Sequence, residues 1–438
     1  IRTPEAIRAI ARVSSKDKNY RLREEAARIH QRVKGKFFSP AEFKIEEKID
    51  IVAGIPSYND ADTIPFVINR LAIGVARFLP QLRPLLVVSD GQSIDKTPEV
   101  AERFDPYKRI GEKIIEPAHP IKKIVTFYDG IPGKGSALRR VFEIAKELNA
   151  PVCVVVDADL RSISALWIKR LAEPILEGYD FVVPYYLRDK NDGTITNSIA
   201  YPLTRALYGR RIRQPIGGEF GLSLKLIERC LSLKDDWETD VARFGIDIWL
   251  TTVALNEGFR ITQTALGVKI HNPKDPATHL GPMFEQVVGT IFMLAGRYYK
   301  NWKKEKGSKD IGTRIGETDT IPLPVNIDIL KAAESFKAGF RKYKDFYRKV
   351  LLKENREELK VTIERFTQKD FSLPDSLWVK LIYDFLIAYN LKLKSLESKK
   401  ELIRSMVPIY LGWVASFSKR TQHLNLSEAG QELSLIHI

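Results

Sequence analysis

The chain has 438 residues, of which 44% are hydrophobic and 29% are charged, and 70 Lys and Arg against 55 Asp and Glu give a formal net charge of +15. This composition is globular, and the length exceeds the roughly 250–300 residues that one core supports. No apolar run reaches the roughly 18–20 residues that cross a bilayer, which excludes a membrane-spanning protein. Two cysteines, Cys153 and Cys230, are too few for a disulfide scaffold and favour a reducing cytoplasm.

The excess positive charge lies in the flanking segments. Residues 1–50 carry +5, residues 51–290 carry +1 and residues 291–438 carry +9. A nucleic-acid-binding protein would place a basic stripe on its working domain, so we expect no nucleic-acid partner. The basic flanks are interpreted as solvated helix faces, with an anionic partner or membrane surface as the alternative.

Helical spacing of apolar residues predicts a helix over residues 4–33. Strand and helix patterns then alternate. The predicted strands are Ile49–Ala53, Leu85–Val88, Ile121–Phe127 and Pro151–Val156. The predicted helices between them are Thr63–Leu79 and Gly133–Leu148. This alternation predicts an α/β fold with a mostly parallel sheet and helices on both faces, in which ligands bind beyond the carboxyl ends of the strands.

After Ile270 helical patterns dominate. The predicted helices are Pro282–Trp302, Ile327–Lys353, Glu357–Phe366, Leu377–Leu396 and Lys400–Ser416, with an exposed connection over Lys303–Pro324. We therefore predict three parts: a helical N-terminal extension over residues 1–46, an α/β domain over residues 47–300 and an α-helical C-terminal region over residues 301–438.

Two carboxylates follow the strand predicted over Pro151–Val156. Asp157 and Asp159 are separated by one residue, and side-chain alternation sends both to one side of an extended chain. Carboxylate oxygens suit Mg²⁺ or Mn²⁺, and they also suit the ribose of a nucleotide. This position at the end of an apolar strand indicates a metal or nucleotide site.

Glycines flank Lys134 at the start of a predicted helix. Gly133 and Gly135 allow the backbone to approach a phosphate, while the ammonium group and the helix N-terminus oppose its charge. The segment lacks the spacing of a Walker motif, so an ordinary turn is the alternative.

Polar groups also follow the first two strands. Pro56 and Tyr58 lie after the first strand, and Asp90 lies after the second. Such groups contact a base or ribose, or they cap the next helix.

These features, in this order, resemble the GT-A glycosyltransferases, which take a sugar from a nucleotide diphosphate with a metal held by a D-x-D pair. Residues 214–219, 244–247 and 267–271 are similar to segments of mannosylglycerate synthase and its glucosylglycerate and glucosyl-3-phosphoglycerate synthase relatives. The resemblance covers roughly residues 48–290. It implies a Rossmann-like GT-A domain over residues 47–300 that binds a nucleotide sugar, followed by a helical C-terminal region.

The resemblance implies a divalent metal, Mg²⁺ or Mn²⁺, with Asp159 and His271 as direct ligands and Asp157 in support. It places Asp247 and Glu219 at the catalytic centre, where Asp247 gives electrostatic support and does not attack covalently.

The remaining donor roles follow from the same resemblance. Lys134 would contact the diphosphate, and Pro56, Tyr58 and Asp90 would surround the nucleotide. Gly217, Gly218 and Glu219 would hold the sugar.

An acceptor site is implied by three residues that recur every four positions. Arg188, Asp192 and Thr196 match the spacing of the glycerate-binding segment of mannosylglycerate synthase. Arginine binds a carboxylate bidentately, and Asp and Thr suit hydroxyl groups. Relatives that use phosphoglycerate carry an arginine after the loop glycine, but here Thr194 follows Gly193. Three nearby arginines are candidates to replace it: Arg210, Arg211 and Arg213.

The implied reaction is retaining, metal-dependent transfer of glucose or mannose from a GDP- or UDP-linked donor to the 2-hydroxyl of D-glycerate, by attack on the same face from which the diphosphate leaves. Alternatives are transfer to 3-phosphoglycerate, transfer to a polysaccharide or lipid, and an inactive sugar-nucleotide-binding scaffold. A cytoplasmic location is expected, and a homo-oligomer is compatible with this interpretation.

Overall fold

The computed structural model describes residues 45, 47–105, 117–270, 281–314, 322, 324–366, 372–425, 428 and 429. The predicted helix over residues 4–33 and the predicted metal ligand His271 lie outside the described residues. In the described part of the chain, no helix is long and apolar enough to cross a bilayer.

Across the described residues, an eight-stranded sheet is built from strands between residues 51 and 314, in the order β3-β2-β1-β4-β6-β5-β7-β8. The strands are β1 (Ile51–Ser57), β2 (Pro84–Asp90), β3 (Lys122–Phe127), β4 (Val152–Val155), β5 (Phe181–Leu187), β6 (Phe220–Ser223), β7 (Ile261–Val268) and β8 (Thr313–Arg314). Strands β1 to β4 pair in parallel, whereas β6 runs antiparallel to both β4 and β5. The prediction of a mostly parallel sheet is confirmed.

Two glycines show that helices cover both faces of this sheet. Gly54 of β1 and Gly221 of β6 pair with consecutive residues of β4, so they point to opposite faces. A Cβ on Gly54 would lie 2.4 Å from the side chain of Val141, whereas a Cβ on Gly221 would lie 2.1 Å from the carbonyl oxygen of Leu171. The helices that carry these two neighbours therefore pack on opposite sides.

The helices of eight or more residues alternate with strands and then follow one another. They are α1 (Ile64–Phe78), α3 (Lys134–Glu147), α4 (Leu166–Leu176), α5 (Tyr201–Tyr208), α6 (Leu224–Ser232), α7 (Ile246–Asn256), α8 (Gly281–Arg297), α10 (Ile329–Val350), α11 (Lys353–Arg365), α12 (Asp375–Ile387) and α13 (Leu396–Thr421). Two shorter helices are α2 (Thr97–Arg103) and α9 (Tyr299–Trp302). The predicted helical C-terminal region is confirmed.

The first strand extends further than its apolar run predicts. The prediction ended at Ala53, whereas β1 continues through Pro56 to Ser57. Beyond Gly54 this strand pairs with β2 alone, because the pairing with β4 ends at Val155. Proline lacks an N–H donor and is tolerated where one side of a strand is open.

The connection predicted over residues 303–324 is not wholly exposed loop. It contains β8, and the side chain of Gln263 in β7 donates to Thr313 Oγ1 at 3.0 Å. A two-residue strand carries too little pattern to be recognised from sequence.

The chain divides into two compact units. The first contains the described parts of residues 1–185, 217–272 and 312–317, and the second contains those of residues 186–216, 273–311 and 318–438. Residues 186–216, which include the predicted acceptor site, thus group with the helical part. The predicted domain boundaries at residues 46 and 300 stay predictions.

The two long helices α10 and α13 of the second unit pack against each other at a glycine on each helix. A Cβ on Gly339 of α10 would lie 2.1 Å from Cγ of Pro408 in α13, and a Cβ on Gly412 of α13 would lie 2.6 Å from the ring of Phe336 in α10. Glycine on each helix therefore permits close approach of the two backbones.

Gly339→Ala is expected to destabilise the second unit. The better helix propensity of alanine would raise the free energy of unfolding by about 1 kcal/mol. Overpacking against the rigid ring of Pro408 would lower it by about 1–3 kcal/mol. Thermal unfolding of the variant should show a lower midpoint. Gly307→Ala is the matched control, because a Cβ there meets nothing within 4 Å. Equal midpoints for the two variants would contradict this packing argument.

Candidate active site

The carboxyl end of β4 is the point at which separate chain segments meet. Asp157 lies two residues beyond the end of β4. The antiparallel strand β6 starts beside this end, because Phe220 pairs with Val155. Glu219, the residue before β6, therefore lies next to Asp157, whose backbone N–H is 3.4 Å from Glu219 Oε1.

A buried lysine joins these two carboxylates. Lys269, which follows β7 directly, donates from Nζ to both oxygens of Glu219 at 2.9 Å and to Asp157 Oδ2 at 2.9 Å. It also donates to the carbonyl oxygen of Gly217 at 3.0 Å. Glu219 is 0% exposed. A buried carboxylate keeps its charge only when it is paired, so Lys269 stabilises Glu219 and fixes Asp157 together.

A second lysine holds Asp157 from the other side. Lys134 is the first residue of α3, and its Nζ lies 2.8 Å from Asp157 Oδ1 and 3.2 Å from both carboxylate oxygens of Asp247. Asp247 lies in the first turn of α7, where the helix dipole favours negative charge. Asp157 and Asp247 thus both bind the ammonium group of Lys134, close to the N-termini of α3 and α7.

For both Lys134 and Asp247, burial and the charge of the paired residue shift the pKa in opposite directions. Burial alone would lower the pKa of Lys134, but Asp157, Asp247 and Glu219 outweigh it and raise that pKa above its usual range. Burial raises the pKa of the Asp247 carboxyl, and the charge of Lys134 opposes the increase. Lys134 therefore stays cationic.

The glycines beside Lys134 have a packing role that the sequence analysis did not anticipate. A Cβ on Gly133 would lie 2.6 Å from the carbonyl oxygen of Ala242, and one on Gly135 would lie 1.9 Å from that of Val241. The start of α3 is thus pressed against the segment that precedes α7. The glycines thus permit a close approach within the chain itself, and the approach to phosphate predicted from the sequence stays a prediction.

Gly218 is required by both its conformation and its surroundings. Its φ of +97° lies in the left-handed region, and a Cβ would lie 2.6 Å from Asp157 Oδ2 and 2.9 Å from Lys269 Nζ. Residues 217–219, predicted to hold the sugar, all contact Asp157 or Lys269. Their sugar-binding role stays a prediction.

The predicted nucleotide residues lie at the ends of β1 and β2. Asp90 is fully buried and accepts hydrogen bonds from Ser57 Oγ at 2.9 Å and from the N–H and Oγ of Ser93, both at 2.7 Å. Burial raises the pKa of Asp90, and these donors oppose the increase. Pro56 is half-buried. Tyr58 is 47% exposed.

Gln92 is a residue of this region that the sequence analysis missed. It has φ of +62°, a conformation that non-glycine residues seldom adopt. Its side chain is buried, and within the described part of the chain its Oε1 has no hydrogen-bond partner. Backbone strain and an unsatisfied buried amide are each costly, and both are features that functional sites retain.

The predicted acceptor residues lie in the second unit and surround one glycine. Arg188 Nη1 is 3.7 Å from Asp192 Oδ2. A Cβ on Gly193, whose φ is +64°, would lie 3.0 Å from Arg188 Nη1 and 3.6 Å from Thr196 Oγ1. The structure therefore brings together Arg188, Asp192 and Thr196, the three residues that the sequence spaced by four. Thr196 also begins a π-helical turn through Ala200, an element found frequently at functional sites.

One of the three nearby arginines joins this group. Arg213 Nη2 donates to Asn197 Oδ1 at 2.9 Å, and Asn197 Nδ2 donates to the carbonyl oxygen of Asp192 at 3.1 Å. Arg210 donates to the carbonyl oxygen of Gly209, and Arg211 lies 3.6 Å from Asp310.

The charges at the end of β4 have the sign that a divalent cation requires. Three carboxylates contact two ammonium groups there, namely Asp157, Glu219 and Asp247 with Lys134 and Lys269, and Asp159 adds a fourth carboxylate two residues beyond Asp157. Carboxylate oxygens are the ligands that Mg²⁺ and Mn²⁺ prefer. Among the described residues no three potential metal ligands converge. Both oxygens of Asp157 contact ammonium groups, which fits the supporting role implied for it, with Asp159 as a direct ligand.

Comparison with known proteins identifies the class of enzyme. Residues 121–276 match the family model for the mannosylglycerate synthase GT domain. No curated protein matched the chain. Among solved structures, it is similar to glucosyl-3-phosphoglycerate synthase from Mycobacterium tuberculosis in complex with Mg²⁺ and uridine diphosphate, at 24% identity over 57% of this chain and 80% of that chain, with a TM-score of 0.43. The complex of that enzyme with Mn²⁺, uridine diphosphate and glucosyl-3-phosphoglycerate aligns at 24% identity over 59% and 86%, with a TM-score of 0.43.

The family match covers the segment that contains both lysines and all four carboxylates of the site. It confirms the resemblance to mannosylglycerate synthase that the motifs predicted. The chain is a glycosyltransferase.

Lys269→Met is expected to destabilise the first unit strongly, because it removes the ammonium group that balances the charge of the buried Glu219 carboxylate. Breaking such a pair costs about 3–5 kcal/mol. Adding Glu219→Gln to the same protein should recover part of the loss, and denaturant unfolding measures both effects. The control is Lys380→Met, which removes an exposed salt bridge of 3.0 Å between Lys380 Nζ and Glu358 Oε2. This change should alter stability little. Comparable losses from the two lysine variants would contradict the buried-pair argument.

Gln92→Gly is expected to stabilise the protein and to weaken donor binding. Glycine adopts the left-handed conformation without strain, so the free energy of unfolding should rise by about 1 kcal/mol. Removing a buried amide oxygen that lacks a hydrogen bond acts in the same direction. A higher unfolding midpoint together with a higher KM for the sugar nucleotide is the expected result. Asn149→Gly relieves a similar conformation, φ of +49°, after α3 and should raise the midpoint alone. An unchanged donor KM in the Gln92 variant would count against a functional reason for its strain.

Proposed function

We propose that this glycosyltransferase moves glucose or mannose from a GDP- or UDP-linked donor to the 2-hydroxyl of D-glycerate, with retention of configuration and with a divalent metal. The observation that carries the proposal is the Lys134 ammonium held between Asp157 and Asp247 at the start of α3. A permanent cation at a helix N-terminus is suited to the charge that develops on a departing diphosphate.

The nucleotide would lie across the ends of β1 and β2, which is where open α/β sheets bind ligands. Tyr58 offers an exposed ring, and the turn held by Asp90 presents Gln92. Asp90 itself has hydrogen bonds to both oxygens, so in this proposal it fixes the turn and Gln92 contacts the nucleotide.

The metal would be held by Asp159 and His271, with Asp157 in support. When bound, Mg²⁺ or Mn²⁺ supplies charge neutralisation for the diphosphate. Structures of glucosyl-3-phosphoglycerate synthase from Mycobacterium tuberculosis contain Mg²⁺ or Mn²⁺ together with uridine diphosphate.

Asp247 would act by charge and hydrogen bonding near the sugar. Its carboxylate is engaged by Lys134, and burial disfavours its free anion, so it is poorly prepared to act as a nucleophile. Electrostatic support of positive charge on the sugar, with attack by the acceptor on the face that the diphosphate leaves, requires no covalent bond to the protein. Glu219 would support the same region through Lys269 and the backbone N–H of Asp157.

The acceptor would bind at Arg188, Asp192 and Thr196. The guanidinium of Arg188 suits the carboxylate of glycerate, and the oxygens of Asp192 and Thr196 suit its hydroxyls. 3-Phosphoglycerate is the second candidate, because Arg213 reaches the same segment through Asn197 and offers a second guanidinium group. A polysaccharide or lipid acceptor is the remaining alternative.

One assay separates these possibilities. The purified protein with Mg²⁺ is incubated with GDP- and UDP-linked glucose and mannose against D-glycerate and 3-phosphoglycerate, and products are identified by mass and by the anomeric signals in NMR spectra. A retained-configuration product with glycerate is expected, and chelation or Asp159→Asn should abolish it. Donor binding without transfer to either acid would contradict the proposal, and donor turnover only with polymeric or lipid acceptors would favour a glycosyltransferase of that class.

A further inference from the structure

The predicted acceptor segment is attached to the C-terminal helical region at four of its residues. Lys190, Asn191, Thr194 and Ser198 each make a hydrogen bond to residues between 325 and 424, all within the second compact unit. These four positions interleave with the three ligand-binding candidates of the same segment. One set of residues thus contacts the helices, while the other surrounds Gly193.

Lys190 caps the C-terminus of α13. Its Nζ donates to the carbonyl oxygens of Thr421, of Gln422 at 3.1 Å and of Leu424 at 2.9 Å, where α13 ends. The last carbonyl groups of a helix lack partners within the helix, and the negative end of its dipole attracts a cation. A single ammonium group that satisfies three carbonyls fixes the position of Lys190, and with it the chain between Arg188 and Asp192.

The other attachments hold the far side of the segment. Thr194 Oγ1 forms a hydrogen bond with the hydroxyl of Tyr410 in α13, and Trp378 Nε1 of α12 donates to the carbonyl oxygen of Ser198 at 3.1 Å. Asn191 Nδ2 donates to the carbonyl oxygen of Val325 at 2.9 Å.

The helical partners are themselves rigidly packed. Trp378 is fully buried and stacks on Trp413, which stacks on Phe417, with centroid distances of 6.2 Å and 5.1 Å. Aromatic stacks of this kind resist displacement because each ring buries a large area in a fixed orientation.

We propose that α12 and α13 are the positioning scaffold of the acceptor site and that Lys190 is its main positioning residue. This inference rests on the proposed function, because it assigns the acceptor to residues 188–196. In this view the basic C-terminal helices set acceptor affinity by fixing the loop that binds it, and Lys190 acts through Arg188 and Asp192 without touching substrate.

The test compares two lysines that close helix ends. Lys190→Met removes the ammonium group at the end of α13, and Lys392→Met removes one that donates at 3.2 Å to the carbonyl oxygen of Val350, the last residue of α10. We expect the Lys190 variant to raise the acceptor KM by at least about tenfold with the donor KM unchanged, since small displacements of positioning groups are costly. The Lys392 variant should leave both KM values unchanged, and Lys190→Arg should restore most of the acceptor affinity.

Hydrogen–deuterium exchange of residues 186–200 gives a readout that does not depend on activity. Faster exchange there in the Lys190 variant, but not in the Lys392 variant, is expected. Unchanged exchange, or acceptor and donor KM values that rise together, would overturn the inference. If the wild-type protein transfers sugar to neither acid, the proposed function fails and the role assigned to the acceptor fails with it, while the exchange result still decides whether α13 holds the segment.

Discussion

The site depends on a cluster of opposite charges held at the end of one buried strand. Asp157 is bound on one oxygen by Lys134 and on the other by Lys269, and each lysine contacts a further carboxylate, Asp247 or Glu219. Each of these buried charges would be unstable without the others. The cluster therefore fixes five chain segments in one relative arrangement: the end of β4, the start of β6, the end of β7, the start of α3 and the start of α7.

The first four strands could be predicted because a parallel sheet buries continuous apolar runs, but β1 and β2 each extend a few residues beyond their apolar runs. Asp157, Lys134 and Asp90 stand at the junctions that these runs define, so their neighbourhood followed from sequence. The antiparallel strand β6 carried no comparable signal: four residues, including Gly221, are too few for a period, and their place beside β4 is set by non-local pairing.

Lys269 and Gln92 show why the rest of the site could not be predicted. A lysine after an apolar strand is normally solvated, and the pairing of Lys269 with Glu219 depends on which strands are neighbours in the sheet. Gln92 is marked by a backbone angle, and no sequence pattern requires a glutamine to adopt φ of +62°. The sequence gives only a partial indication at Gly218. A glycine before an acidic residue indicates that another group approaches the backbone closely, but it does not identify that group.

The acceptor segment shows how a local pattern acquires a fixed shape. Its spacing of four places Arg188, Asp192 and Thr196 around Gly193, but a polar loop with that spacing has many conformations of similar energy. The chain enters the segment directly after β5, which ends at Leu187, and continues from it into the π-helical turn that begins at Thr196. Between those ends, Lys190 and Thr194 bond to α13. A loop whose middle is held by a helix loses little further entropy when a small acid binds, and that favours affinity for a ligand with few groups to recognise.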